Sequence, residues 1–171
     1  MRTATVTSDD ALEAAARRLG QALVKRGWQM ASAESCTGGL VGHVITQIPK
    51  SSDHYLGGIV SYSNTAKEEL LDVPGDVLER VGAVSAEVAE AMTVGTLARF
   101  PVATLSVAVT GVAGPDGGSD EKPVGLTYVA AAVRDGPAVV ERHTWPHDRD
   151  GNKRASALAA IELATRLTTG E

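Results

Sequence analysis

Apolar residues at Leu12, Ala15, Ala16, Leu19, Leu23 and Val24 recur at the spacing of one helical face, and Ser8 and Asp9 offer capping oxygens just ahead of them. This predicts a helix that stops near Gly27. Trp28 to Ser35 then reads as a strand, and Thr37-Gly38-Gly39 opens a second apolar helix from Leu40 to Ile48, ended by Pro49. Tyr55 to Ser63 is the next strand, followed by a short helix from Asn64 to Leu71 with Asn64 as its cap. Pro74 begins another short helical segment. Ser85 caps a longer one whose buried stripe is Val88, Ala89, Met92, Leu97 and Ala98.

Val102 to Val109 reads as a buried strand that runs into a glycine-rich loop, Thr110 to Gly125. Leu126 to Val133 and Ala138 to Thr144 form a hairpin around Arg134-Asp135-Gly136-Pro137. Asp148 starts a terminal helix carrying Ala155, Leu158, Ala159, Ile161, Leu163 and Leu167. Strands alternating with helices predict an α/β fold, a three-layer α/β/α sandwich with a mixed, mostly parallel sheet of about five strands, the late hairpin supplying the antiparallel part. No repeat, linker or low-complexity tract interrupts it, so residues 1–171 are expected to form one domain.

Composition narrows the function classes. A net charge of −5 supplies no basic footprint for nucleic acid. With 43% hydrophobic residues the chain can bury a core, and with only 4% aromatics that core must be built from Ala, Val, Leu and Ile. The N-terminus carries acids and arginines where a signal peptide needs an apolar run, and no stretch is apolar enough to span a membrane. The single cysteine, Cys36, cannot form an internal disulfide, and no Cys/His spacing suits a metal. A cytoplasmic protein with no metal and no cofactor is the expectation.

Polar and glycine residues gather where predicted strands end, the edge at which open α/β sheets hold ligands. The first cluster, Ser32 to Gly39, contains Glu34, Ser35, Cys36, Thr37 and Gly38; its turn can stabilise an oxyanion or a phosphate, or can serve only as a helix cap on Thr37. The second, Tyr62 to Lys67, supplies an amine. Desolvated beside Ser35, Lys67 would act as the base of a Ser-Lys pair; left in water, it would be an ordinary surface lysine. The third, Thr110 to Ser119, includes Gly111 and Gly114, which permit close backbone approach to a ligand. Cys36 near a helix start is a rival nucleophile or a small buried residue. His43, His54, His143 and His147 show no ligand spacing.

Taken in order, SAESCTGG, YSNTAKEELL and VTGVAGPDGGSDEKPVG resemble the C-terminal domain of the CinA competence/damage-inducible family, from the first helix to the last. No counterpart of the N-terminal molybdopterin-binding-like domain of full-length members precedes them, so the stand-alone amidase form is the expectation. The resemblance implies hydrolysis of the carboxamide of nicotinamide mononucleotide in pyridine nucleotide salvage, and a homodimer. It assigns the nucleophile to Ser35, the base to Lys67 and an assisting role to Tyr62, as a proton relay or as a support for Lys67. Backbone near Cys36 and Thr37 would hold the oxyanion, with Gly38, Thr110, Gly111 and Gly114 around the substrate. Arg149 would meet the phosphate, although His147 stands where the family has glycine in Gly-Asp-Arg. Glu34 would orient the substrate or hold the local structure. A binding module that keeps the nucleotide pocket without turnover, linked to competence or DNA damage, is the alternative; a metal-dependent phosphotransferase is disfavoured by scattered acids.

Overall fold

The computed structural model describes residues 6–171. Helix α1 (Asp9–Arg26) begins where the Ser8 hydroxyl accepts from the Ala11 N–H and ends at Gly27 in the left-handed conformation. The chain continues through β1 (Met30–Glu34), α2 (Leu40–Thr46), a short 3-10 turn, β2 (Tyr55–Val60), α3 (Asn64–Leu71), α4 (Gly75–Val81) and α5 (Ala86–Arg99). It closes with β3 (Leu105–Gly111), β4 (Leu126–Val133), β5 (Ala138–Thr144) and α6 (Arg149–Thr169). The five strands lie in the order β2-β1-β3-β4-β5. β1 pairs parallel with β2 and β3, while β4 runs antiparallel to both β3 and β5, so only β4 opposes the direction of the others.

Side-chain alternation along β1 sorts the two helical layers. Met30 faces the core formed with α1, α2 and α6, where Leu19, Val41, Ile45 and Ile161 meet Leu105 and Val107. Ala31 and Ala33 face the other side, toward α5 and its neighbours, with Leu97 packed on the former and Leu71, Val88 and Met92 on the latter. Small strand residues let α5 lie close to the sheet, which is how a chain poor in aromatics fills its core.

β1, β2 and α2 are shorter than the 28–35, 55–63 and 40–48 expected from the sequence, and two further boundaries differ for a specific reason. The strand expected from Val102 begins at Leu105, because the Arg134 guanidinium gathers the Leu97, Phe100 and Ala103 carbonyls into a turn at the end of α5 and leaves Val102 exposed. The cap of α3 is Ser63, whose hydroxyl accepts from the Ala66 N–H, and not Asn64, the first helical residue.

The C-terminal ends of the three parallel strands are flush, Glu34 lying level with Val60 on one side and Val109 on the other. The residues that follow are Ser35, Ser61 and Thr110, laced together by the Ser35 N–H to the Val109 carbonyl (2.9 Å) and the Ser61 N–H to the Glu34 carbonyl (2.8 Å). β4 starts at this same edge, since Gly111 pairs with Thr127, and α6 starts there too, directly after β5.

Candidate active site

Alternation decides which layer each residue of the first cluster meets. Ser35 continues the Ala31, Ala33 side and looks toward α3; Glu34 continues the Met30, Ser32 side and looks toward α2. From α3 comes Lys67, fully buried, with its Nζ 2.9 Å from Ser35 Oγ, 2.8 Å from the Ser61 carbonyl and 3.1 Å from the Tyr62 carbonyl. A carbonyl can only accept, so the two backbone oxygens take two N–H bonds and the remaining position on the nitrogen points at Ser35. In the ammonium form that position donates to Oγ. In the neutral amine it is a lone pair aimed at the hydroxyl proton. Burial holds the Lys67 pKa well below its ordinary value, at about 8, and so brings the neutral form into reach near physiological pH.

Glu34 is also buried, and both its oxygens are occupied. Oε1 accepts from the Thr37 hydroxyl (2.7 Å) and the Val41 N–H (2.8 Å), and Oε2 accepts from the Gly42 N–H (3.1 Å). A carboxylate on a strand thus caps the following helix, and the Thr37 hydroxyl reinforces that carboxylate instead of capping the helix itself. These bonds tie Glu34 to the turn and to the start of α2, and it lies outside the lining of the cleft at Ser35. Between them the chain turns through Gly38 and Gly39 at φ +61° and +100°, backbone that side chains rarely tolerate. The N–H groups of Cys36 and Thr37, in this same turn, donate to no backbone carbonyl among the described residues.

Cys36 is buried beside Ser35, and burial pushes its thiol up to about 12, so it is protonated and poorly nucleophilic at neutral pH. Tyr62 touches Lys67 through its backbone carbonyl, not its ring. Its phenol oxygen lies 3.3 Å from Arg149 Nη2, at the exposed mouth of the site. Arg149, the first residue of α6, also donates to the Gly114 carbonyl at 2.6 Å and so ties the glycine-rich loop to the helix. The Thr110 hydroxyl is engaged by the Ala83 carbonyl (2.8 Å). Gly111 has a packing reason to be glycine, because a Cβ there would stand 3.1 Å from Cys36 Sγ and 2.7 Å from the Leu126 carbonyl.

A cleft of about 290 Å³ gathers Ser35, Cys36, Tyr62, Lys67, Thr110, Gly111, Gly114 and Arg149; Glu34, Thr37 and Gly38 lie outside its lining, behind the turn. Three groups in or beside the cleft carried no sequence signal strong enough to single them out. The Ala83-Val84 segment lines one wall, and only the tertiary contact with Thr110 places it there. Asp116 lines the cleft from the glycine-rich loop. Lys153, one turn after Arg149, is not in the cleft lining but lies next to the turn, its ammonium 3.9 Å from where a Cβ on Gly38 would stand; its i, i+4 spacing from Arg149 was the available clue. Among the described residues no group of three or more His, Cys, Asp or Glu is placed to hold a metal ion. No helix among them is long and apolar enough to cross a membrane.

The class so defined is an α/β/α sandwich with a buried serine–lysine contact at the C-terminal edge of its parallel strands. Residues 12–168 match the family described as CinA C-terminal domain, and the chain belongs to that family. The nicotinamide-nucleotide amidohydrolase PncC of Enterobacter agglomerans is 43% identical over 148 residues, covering 86% of this chain and 90% of that protein. A CinA-like protein of Desulfotalea psychrophila is 53% identical over 148 residues, but the match is 86% of this chain and only 35% of the relative, so the chain spans about a third of that longer protein. Among solved structures, the competence/damage inducible protein CihA of Agrobacterium tumefaciens superposes with a TM-score of 0.86 at 37% identity, covering 94% of this chain and 96% of that one. A CinA superfamily protein of Klebsiella pneumoniae gives 0.89 at 28% identity over 94% and 99% of the two chains.

Proposed function

We propose that the chain hydrolyses the carboxamide of nicotinamide mononucleotide to the carboxylate and ammonia, with Ser35 as nucleophile and Lys67 as its base. The observation that carries this is the 2.9 Å contact between Lys67 Nζ and Ser35 Oγ, with the other two nitrogen positions held by carbonyls. Neutral Lys67 takes the hydroxyl proton as Oγ bonds to the carboxamide carbon. The carboxamide oxygen becomes an anion, for which the backbone N–H groups of Cys36 and Thr37 at the turn are the assigned donors. As the tetrahedral centre collapses, the C–N bond breaks and the Lys67 ammonium returns its proton to the leaving nitrogen, releasing ammonia. Water then attacks the acyl-serine, Lys67 again taking a proton, and the carboxylate leaves with Ser35 restored.

The substrate is supported by the amidohydrolase relative, which this chain matches over 90% of its length, and by Arg149 at the cleft mouth. The guanidinium retains N–H groups beyond those given to Gly114 and Tyr62, and these can grip phosphate oxygens. The test is ammonia release from nicotinamide mononucleotide by the purified protein. Ser35→Ala and Lys67→Ala should each lower kcat by at least about a thousandfold, as expected when a member of a nucleophile–base unit is removed. Cys36→Ala should retain most of it. Full activity in Ser35→Ala with loss in Cys36→Ala would move the nucleophile to the thiol.

A further inference from the structure

The cleft carries two opposite charges that do not pair with each other. Arg149 holds the Gly114 carbonyl and the Tyr62 phenol, and Asp116, two residues beyond Gly114, lines the same cleft. Asp116 is exposed and forms no hydrogen bond or ion pair among the described residues. The other polar side chains of the lining are occupied: Ser35 and Lys67 with each other, Thr110 with the Ala83 carbonyl, and Tyr62 with Arg149. Among these side chains Asp116 is the one with no hydrogen-bond partner among the described residues, and a carboxylate accepts only. A ligand that is merely anionic would be held by Arg149 and repelled by Asp116. A ligand carrying both an anion and hydroxyl donors satisfies the two together.

We propose that Asp116 is a specificity-determining residue that accepts hydrogen bonds from the ribose hydroxyls of a sugar-phosphate substrate. The placement rests on the amidase reading, because a carboxamide on Ser35 and a phosphate on Arg149 leave the sugar between them. Asp116 lines the same cleft as Ser35 and Arg149, two residues beyond the loop carbonyl that Arg149 binds. Hydrogen bonds to a carboxylate here distinguish a ribose from a sugar without hydroxyls by about ten- to a hundredfold.

The experiment compares kcat/KM for nicotinamide mononucleotide and its 2′,3′-dideoxy analogue in the wild type and in Asp116→Ala. The wild type should prefer the ribonucleotide by about ten- to a hundredfold, and the variant should lose that preference by declining on the ribonucleotide alone. Equal decline on both substrates, or no decline on either, overturns the proposal. A second measurement does not depend on turnover: calorimetric titration with ribose 5-phosphate and with 2-deoxyribose 5-phosphate. A preference for the former that vanishes in Asp116→Ala supports the assignment. Equal binding of both by the wild type overturns it even if ammonia is released. A preference that depends on Asp116, with no ammonia released from the mononucleotide, would retain the sugar-phosphate site and remove the amidase reading.

Discussion

Lys67 is an amine in a place where an ammonium is poorly solvated, and its chemistry follows from that. With its pKa drawn down to about 8 by burial, the proposed role of Lys67 as base requires kcat/KM to climb as pH rises through that value and level off above it, because an amine must be neutral to take a proton. The Cys36 thiol, pushed up to about 12, contributes no limb in that range, so Cys36→Ala should leave the profile in place. Lys67→Arg, charged at every accessible pH, should be inactive throughout. The same shift has a stability consequence. Between about 8 and the ordinary 10.5, the unfolded chain keeps a proton that the folded chain has released, so stability rises with pH across that window. A profile with its acid limb below pH 6, alongside flat stability between pH 8 and 10, would remove Lys67 as the base. The lysine itself was legible in the sequence as a candidate; its burial was not, because that depends on α3 folding over the end of β1.

At the scale of elements, Glu34 links a strand end to the start of the next helix. α2 has no side-chain cap of its own at Gly39, and the carboxylate from the preceding strand supplies the acceptor for Val41 and Gly42. Glu34→Gln keeps the size of the side chain but puts an NH₂ where one carboxylate oxygen stood, so a donor faces either Gly42 or the Thr37–Val41 pair. We expect a loss of about 1–3 kcal/mol in urea denaturation, the cost of leaving a buried donor unmet. A larger fall in kcat than rise in KM should accompany it, because the Ser35–Gly39 turn is anchored through the same oxygens. Wild-type stability and turnover in Glu34→Gln would show that the turn holds its shape without the carboxylate. Period and punctuation made most elements readable, and β4 and β5 lie where alternation places them. The start of β3 was not readable, since Arg134, more than thirty residues downstream, is what draws Phe100 to Ala103 out of the strand. Glu34 was visible as a polar residue beside the turn, yet nothing local says that it reaches forward to a helix.

Across the whole molecule the site is assembled from both helical layers: Ser35 from the end of β1, Lys67 from α3 on one face and Arg149 from α6 on the other. Its geometry therefore depends on how α3 sits against α5, a contact made at Gly95. Within a helix, replacing glycine by alanine usually stabilises by about 0.5–1 kcal/mol. Here the sign reverses, because a Cβ on Gly95 would stand 2.0 Å from the Leu71 carbonyl oxygen, a backbone atom that cannot rotate away. Relief requires α3 and α5 to separate, with overpacking of this kind costing about 1–3 kcal/mol. Leu71 ends the helix that carries Lys67 one turn earlier, so the displacement moves the amine relative to Ser35. Gly95→Ala should therefore lower both stability and kcat, while KM for the mononucleotide should change little if, as proposed, Arg149 on α6 holds its phosphate. Thermal unfolding with steady-state kinetics well below the melting temperature separates these effects. A variant as stable as the wild type would mean that the two helices part without cost. Reduced stability with unchanged kcat would mean that Lys67 keeps its place through the Ser61 and Tyr62 carbonyls, independently of the packing beneath α3.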